Sequence, residues 1–188
     1  GTRVLTVSAE VVRIWEVAAS PPPPIEIHHA ATINYAVFSA DGAQIATASD
    51  DRTARLWSVA TGRPVTPPLD HDARVLRVEL SRDGARVATI VSQSHHVSYR
   101  EEDAGGVVTV SEVRGAALWN ARTGARIADL EAGPVPATAG AEGHISVATS
   151  AVFSADSRRL VTTGTDHIAL VWDAATGKTV LGPLEHGD

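Results

Sequence analysis

Short apolar runs recur along this chain, each closed off by polar turns. Ile45-Ala-Thr-Ala48, Val87-Ala-Thr-Ile90 and Leu160-Val-Thr-Thr163 follow Ser39-Ala-Asp-Gly42, Ser81-Arg-Asp-Gly84 and Ser154-Ala-Asp-Ser157 respectively. Apolar runs of about 4–8 residues bounded by turn residues read as buried strands, and Asp-Gly is a strong tight-turn signal between strands. Before each turn an apolar residue, Phe38, Leu80 or Phe153, closes an earlier strand. After each run the chain enters a further strand that ends in Trp; in two units a turn between them is plain, Ser49-Asp-Asp-Arg52 and Gly164-Thr-Asp-His167. A third turn, Ala60-Thr-Gly-Arg63 or Ala175-Thr-Gly-Lys178, leads to a strand containing proline. No segment carries a helical period. The pattern predicts units of four short antiparallel strands, here named a, b, c and d.

The units keep a common length. Trp15 to Trp57 is 42 positions; Trp15 to His29, Trp57 to His71 and Trp172 to His186 are each 14; His29 to Trp57 and His144 to Trp172 are each 28. Two intervals are longer, His71 to Trp119 at 48 and Trp119 to His144 at 25, which places insertions of 20 and 11 residues. A fixed period of this size is the signature of a repeat architecture. The units fall at about 1–28, 29–70, 71–143 and 144–188, with the insertions at about 92–111, between strands b and c, and 132–142, between strand d and the next strand a.

Asp41-Gly42, Ser49-Asp-Asp-Arg-Thr-Ala-Arg-Leu-Trp57 and Gly143-His144 together resemble the WD40 repeat, whose units form the blades of a β-propeller. The resemblance covers nearly the whole chain apart from the insertions. It implies an all-β propeller of about four blades, with strand a lining the central channel and strand d on the rim. Pro64, Pro67, Pro68 and Pro183 gather where strand d is expected. An outer edge strand tolerates proline, which cannot donate to a ladder and which blocks edge-to-edge pairing.

The resemblance also implies a hydrogen-bonded set of Trp, Ser or Thr, His and Asp in each blade. Carried onto this chain, one set is His29, Ser49, Asp51 and Trp57, with the charge-assisted Asp51–His29 link the strongest. Another is His144, Asp166 and Trp172, where Gly164 stands in the place of Ser49 and Thr163 and Thr165 are the available substitutes. The third unit offers His71 and Trp119 with Val113 at the Asp position, and the first only Trp15. A Ser–His–Asp combination elsewhere suggests a nucleophilic triad. Here the residues recur with the blades, and a hydrolase needs one such site. The expectation is therefore scaffold hydrogen bonding, with no catalytic residue, metal or cofactor assigned.

The sequence opens in the register of strand b, carries no Met, and stops before the next strand a, giving a little under four blades. WD40 rings have about seven or eight. The expectation is an incomplete ring from a longer product, or self-association through the open blade ends. Formal net charge is -6, which argues against a nucleic-acid partner. No apolar run approaches the ~20 residues that span a bilayer, and no signal peptide opens the chain, so a cytoplasmic location away from membranes is expected. Cys is absent, which excludes disulfides and thiolate metal sites.

The stretch from Ser92 to Val110 gathers His95, His96, Tyr99, Glu101, Glu102 and Asp103. It reads as a hairpin extension, with Val97 and Tyr99 alternating outward, Glu101-Glu-Asp-Ala-Gly-Gly106 turning, and Val108 and Val110 returning. Adjacent residues of a strand point to opposite faces, so His95 and His96 do not chelate one ion. The second insertion holds Gly133-Pro-Val-Pro136. In the WD40 fold b–c and d–a connections leave the same face of the disc, so the two insertions, with Pro134 and Pro136, are expected to form a partner-binding surface. Pro21 to Pro24 reads as a rigid c–d connection. The units resemble bacterial WD40 arrays, and the expected function is a non-catalytic protein-interaction scaffold, the docking or sensor segment of a larger bacterial protein. The rival is an enzymatic propeller, a metal-dependent lactonase or quinone-cofactor dehydrogenase. It needs channel ligands from several strands a, where the chain offers only Asn34, Arg77, Glu79 and Ser150.

Overall fold

The computed structural model describes residues 2–18, 20–92, 115–130, 148–164 and 167–185. The described residues form four antiparallel sheets and no helix. Blade one holds three strands, β1 (Arg3–Ser8), β2 (Val11–Glu16) and β3 (Ile25–His28), in the order β1-β2-β3. These are strands b, c and d, as the opening register predicts, and Pro21 to Pro24 lie in the c–d connection. Blade two is β4 (Ile33–Phe38), β5 (Gln44–Ser49), β6 (Thr53–Ser58) and β7 (Leu69–Asp70). Blade three is β8 (Arg74–Leu80), β9 (Arg86–Ser92), β10 (Ala116–Asn120) and β11 (Arg126–Leu130). Blade four is β12 (Ala148–Phe153), β13 (Arg159–Gly164), β14 (Ile168–Asp173) and β15 (Thr179–Glu185). In all three complete blades each strand pairs with its neighbours in sequence.

Proline shapes the rim as its chemistry requires. In blade two Pro64 forms a single bridge with Trp57, Pro67 and Pro68 precede β7, and β7 itself is two residues long. In blade four Pro183 sits inside β15, the outer strand, whose residues are all exposed. The a–b turns repeat one device. The Ser39, Ser81 and Ser154 hydroxyls each donate to an Asp two residues on, Asp41, Asp83 and Asp156, at 2.6 Å. Gly42 and Gly84 then take φ of +70° and +68°, a region that favours glycine. Ser157 takes φ +60° at the third such turn, and its hydroxyl accepts from the Asp83 amide of the neighbouring blade at 3.1 Å. That cross-blade bond is what a glycine there would lack.

The core lies between blades rather than inside them. Strand alternation gives each blade two faces. One carries the Trp and looks at the preceding blade; the other is small and aliphatic and looks at the following one. Val12, Ile14 and Ile27 of blade one meet Ile45 and Trp57 of blade two. Ala46, Leu56 and Leu69 of blade two meet Val75, Val78 and Trp119 of blade three. Ala88, Ile90, Leu118 and Leu130 of blade three meet Leu160 and Trp172 of blade four. Trp57, Trp119 and Trp172 are 5%, 5% and 3% exposed, whereas Trp15, at the open end of the arc, is 38% exposed. Losing a buried indole costs about 3–5 kcal/mol, far more than a surface ion pair such as Arg13–Glu26 contributes. Apolar contact between blades therefore dominates stability.

Candidate functional site

The polar residues singled out by the repeat converge in blade two. The Trp57 indole donates from Nε1 to Thr47 Oγ1 at 2.8 Å. Thr47 Oγ1 lies 2.7 Å from His29 Nε2, and His29 Nδ1 lies 2.8 Å from Asp51 Oδ2. A carboxylate only accepts, so Nδ1 carries the proton and Nε2 accepts from the Thr47 hydroxyl. The chain of donors then runs one way, Trp57 to Thr47 to His29 to Asp51, with a neutral imidazole. Burial lowers the His29 pKa, with the Asp51 hydrogen bond opposing, which agrees with neutrality.

Asp51 also accepts from the Thr53 amide at 2.9 Å, the Thr53 hydroxyl at 2.7 Å and the Ala30 amide at 3.2 Å. Burial pushes its carboxyl up, but the bonds from Thr53, His29 and Ala30 win and hold it at about 2. The set ties the entry to strand a to the b–c turn, where Arg52 takes φ +69°.

One expected member is corrected. Ser49 is buried but does not meet Trp57: its hydroxyl donates to the Ala31 carbonyl at 3.1 Å and accepts from the Asp51 amide at 3.1 Å. The hydroxyl beneath the indole is Thr47, two residues earlier. The cause is strand register. Ile45 is the direct partner of Trp57 on β6, and Thr47 is the next residue of β5 on the same face. The rule holds in every blade: Trp15 donates to Thr6 at 2.8 Å, Trp119 to Thr89 at 2.9 Å and Trp172 to Thr162 at 2.8 Å. Thr162, not Thr163, therefore takes the role in blade four, and Thr165 lies outside the described residues. The missed signal was visible: a Thr stands third in each of the apolar runs Ile45–Ala48, Val87–Ile90 and Leu160–Thr163.

In blade three His71 stacks edge-on against Trp119 at 5.0 Å, close to the 5.8 Å of His29 and Trp57. Its Nε2 is buried with no hydrogen-bond partner among the described residues. Burial, then the Arg126 guanidinium, press its pKa down to about 4. His144 and Asp166 lie outside the described residues, as do His95, His96, Tyr99, Glu101, Glu102, Asp103, Pro134 and Pro136.

Of the strand a residues, Asn34 and Arg77 are engaged in blade-to-blade contacts. Asn34 donates to the Val75 carbonyl at 2.9 Å and to Asp50 at 2.7 Å. Arg77 lies over the Tyr35 ring at 5.4 Å, and burial raises the Glu79 pKa. Among the described residues no three His, Asp or Glu side chains converge on one point as metal ligands.

Comparison with known proteins agrees with this geometry. The family model described as WD domain, G-beta repeat, matches residues 23–58 and 138–173. A search of curated proteins found no match. Among solved structures the chain is similar to the β-propeller domain of Cps50 (Swd1) from Myceliophteria thermophila, at 16% identity and TM-score 0.71. That match covers 99% of this chain and 53% of the other, so the chain spans about half of that propeller domain. It is also similar to the computationally designed Ika4 protein, at 15% identity and TM-score 0.63, over 92% of this chain and 86% of that one. At such identities these two structures speak to the fold alone. Two stretches of the chain thus match the WD domain, G-beta repeat, and its four sheets, with an indole–hydroxyl bond in every blade, have the fold of an arc of a β-propeller.

Proposed function

We propose that the chain is a non-catalytic protein-interaction platform, the docking or sensor part of a larger bacterial WD40 protein that works in the cytoplasm. The observation that carries this reading is the placement of the reactive-looking side chains. His29 and Asp51 are taken up in the bond sequence that fixes Trp57, and Asn34 and Arg77 in contacts between blades. A general acid or base must reach its substrate, and these groups face the scaffold.

Blade topology supports a docking end. In an antiparallel blade the b–c and d–a connections leave the same end. Strands β9 and β10 stop at Ser92 and resume at Ala116, and β11 and β12 stop at Leu130 and resume at Ala148. Both long connections of the chain are thus attached at one end, and loops on a rigid scaffold commonly carry binding. Replacing Ser94–Val108 by a short Gly-Ser link tests the reading. Cross-linking and affinity capture from the source cell should lose their specific partner, with the thermal unfolding midpoint unchanged. Undiminished capture would remove the insertion from the proposal. Stoichiometric calcium or zinc in purified protein would favour the enzymatic propeller instead.

A further inference from the structure

We propose that the end of blades three and four bearing the a–b and c–d turns docks an acidic segment of a protein partner on Arg82, Arg122, Arg158 and Lys178. This end lies opposite the one in the platform reading, and the proposal does not depend on that reading.

Hydrogen bonds knit the turns of these cations into one surface. The Ala121 amide donates to the Ala85 carbonyl at 3.1 Å and joins the turn of Arg122 to that of Arg82. The Asp83 amide donates to Ser157 Oγ at 3.1 Å and joins the turn of Arg82 to that of Arg158 in the next blade. The Ala174 amide donates to the Arg158 carbonyl at 3.0 Å, and Arg86 Nε donates to the Ala174 carbonyl at 3.0 Å, which brings in the turn of Lys178. The cations therefore stand on a continuous strip across two blades.

The positive charge of the strip is uncommitted. Arg82, Arg122, Arg158 and Lys178 are exposed, and among the described residues their side chains have no ion pair or hydrogen bond. The carboxylates of the same turns are engaged. Asp83 accepts from Ser81 Oγ at 2.6 Å and the Ala85 amide at 3.0 Å, and Asp156 from Ser154 Oγ at 2.6 Å and the Arg158 amide at 3.0 Å. Asp173 accepts from the Thr176 hydroxyl at 2.9 Å and from Arg159 at 3.1 Å. In blade three Asn120 stands where Asp173 does, and its Oδ1 accepts from the Arg122 and Thr123 amides at 2.9 Å and 3.1 Å. That turn is capped without a negative charge, so Arg122 has no carboxylate in its own turn. At the opposite end, Asp50, Asp51, Asp70 and Asp72 outnumber Arg52 and Arg74.

Carboxylates fit this strip better than nucleic acid or a bilayer does. A guanidinium forks onto a carboxylate in two parallel bonds. Nucleic-acid-binding domains have a pI above about 9, whereas this chain has a sequence pI of about 5.7 and a net charge of -6. Surfaces that lie on membranes bury large apolar side chains, and the exposed apolar residues of these turns are only Ala125, Ala155 and Ala175. At physiological salt charges act over about 8 Å, so a short peptide on the strip is screened from the acidic opposite end.

Fluorescence anisotropy of a short fluorescein-labelled polyglutamate peptide, titrated with the 188-residue chain, tests the proposal. Binding at physiological salt should be lost at about 1 M salt, where charges are screened within about 3 Å. Arg82→Gln and Arg158→Gln should each weaken it about two- to fivefold, and together more, with β-sheet circular dichroism unchanged. Arg158→Lys, which keeps the charge and loses the fork, should retain part of the binding. Arg74→Gln removes the same charge at the opposite end, where Arg74 is exposed beside Asp50, and should leave binding unaltered. Absence of binding, or equal losses from Arg74→Gln and Arg82→Gln, would overturn the proposal. So would tighter binding of single-stranded DNA or of phosphatidylserine vesicles through the same arginines, which would assign the strip to phosphate groups.

Discussion

Blade two and blade three hold the same histidine against the same tryptophan and treat it in opposite ways. His29 bridges the Thr47 hydroxyl and the Asp51 carboxylate, while among the described residues the buried Nε2 of His71 has no partner. Yet Trp119 keeps its bond to Thr89 at 2.9 Å, against 2.8 Å for Trp57 and Thr47. The indole–hydroxyl pair is thus the part that every blade retains. The His–Asp extension is an addition that pins the b–c turn to the strand a entry where a carboxylate is available. A half-built polar set stabilises less than a complete one, so the blades differ in what their histidines contribute.

Removing the carboxylate is the strongest way to collapse this difference. Asp51→Ala strips the acceptor from His29 Nδ1–H, the Ala30 amide and both Thr53 donors. Each buried donor left without its acceptor costs about 1–3 kcal/mol, so urea unfolding should show a loss of about 3–5 kcal/mol. A loss below about 1 kcal/mol would mean that the turn satisfies its donors without Asp51.

The same substitution at the two histidines should separate them next. His29→Leu takes one donor from Asp51 and the acceptor from the Thr47 hydroxyl and should cost about 2–3 kcal/mol at neutral pH. His71→Leu replaces a buried ring nitrogen that has no partner among the described residues by hydrocarbon and should be near neutral or stabilising. Acid sharpens the contrast. The His71 pKa falls from 6.5 to about 4 on folding, so the unfolded chain takes up the proton first. Its contribution is complete above pH 6.5 and is lost as pH falls from there towards 4, by on the order of 3 kcal/mol. His29 is also lowered and loses stability below the same upper limit. Asp51 falls from 3.8 to about 2, so its contribution stays whole above pH 3.8 and is lost through pH 2. Unfolding between pH 6.5 and 4 should therefore be flatter in His71→Leu than in the unaltered chain. Parallel curves would show that His71 is not the group titrating.

Much of this was legible from the chain. The short apolar runs and the turns between them pointed to an all-β chain of about four antiparallel blades, and the structure has four antiparallel sheets. The His29–Asp51 pair followed from the repeat. The hydroxyl did not, because Ser49 is adjacent to Asp51 along the chain while Thr47 is adjacent to Trp57 across the sheet. Linear spacing finds turn neighbours; a strand pair must be registered before its facing side chains are known. The rim strand of blade two was likewise overestimated: Pro64, Pro67 and Pro68 marked its place, but their missing donors reduce it to Leu69–Asp70.

The hydroxyl itself extends the comparison to blade one, where the smallest cost is expected. Thr47→Val should cost about 2–3 kcal/mol, because the Trp57 indole N–H and His29 Nε2 are both buried and both lose their partner. Thr6→Val removes the corresponding bond from Trp15, but an indole that is 38% exposed can turn to water. Its cost should stay within about 0.5 kcal/mol. Urea unfolding of Thr47→Val and Thr6→Val reads both values. Equal penalties would mean that the Trp15 indole depends on its hydroxyl as much as the buried Trp57 does.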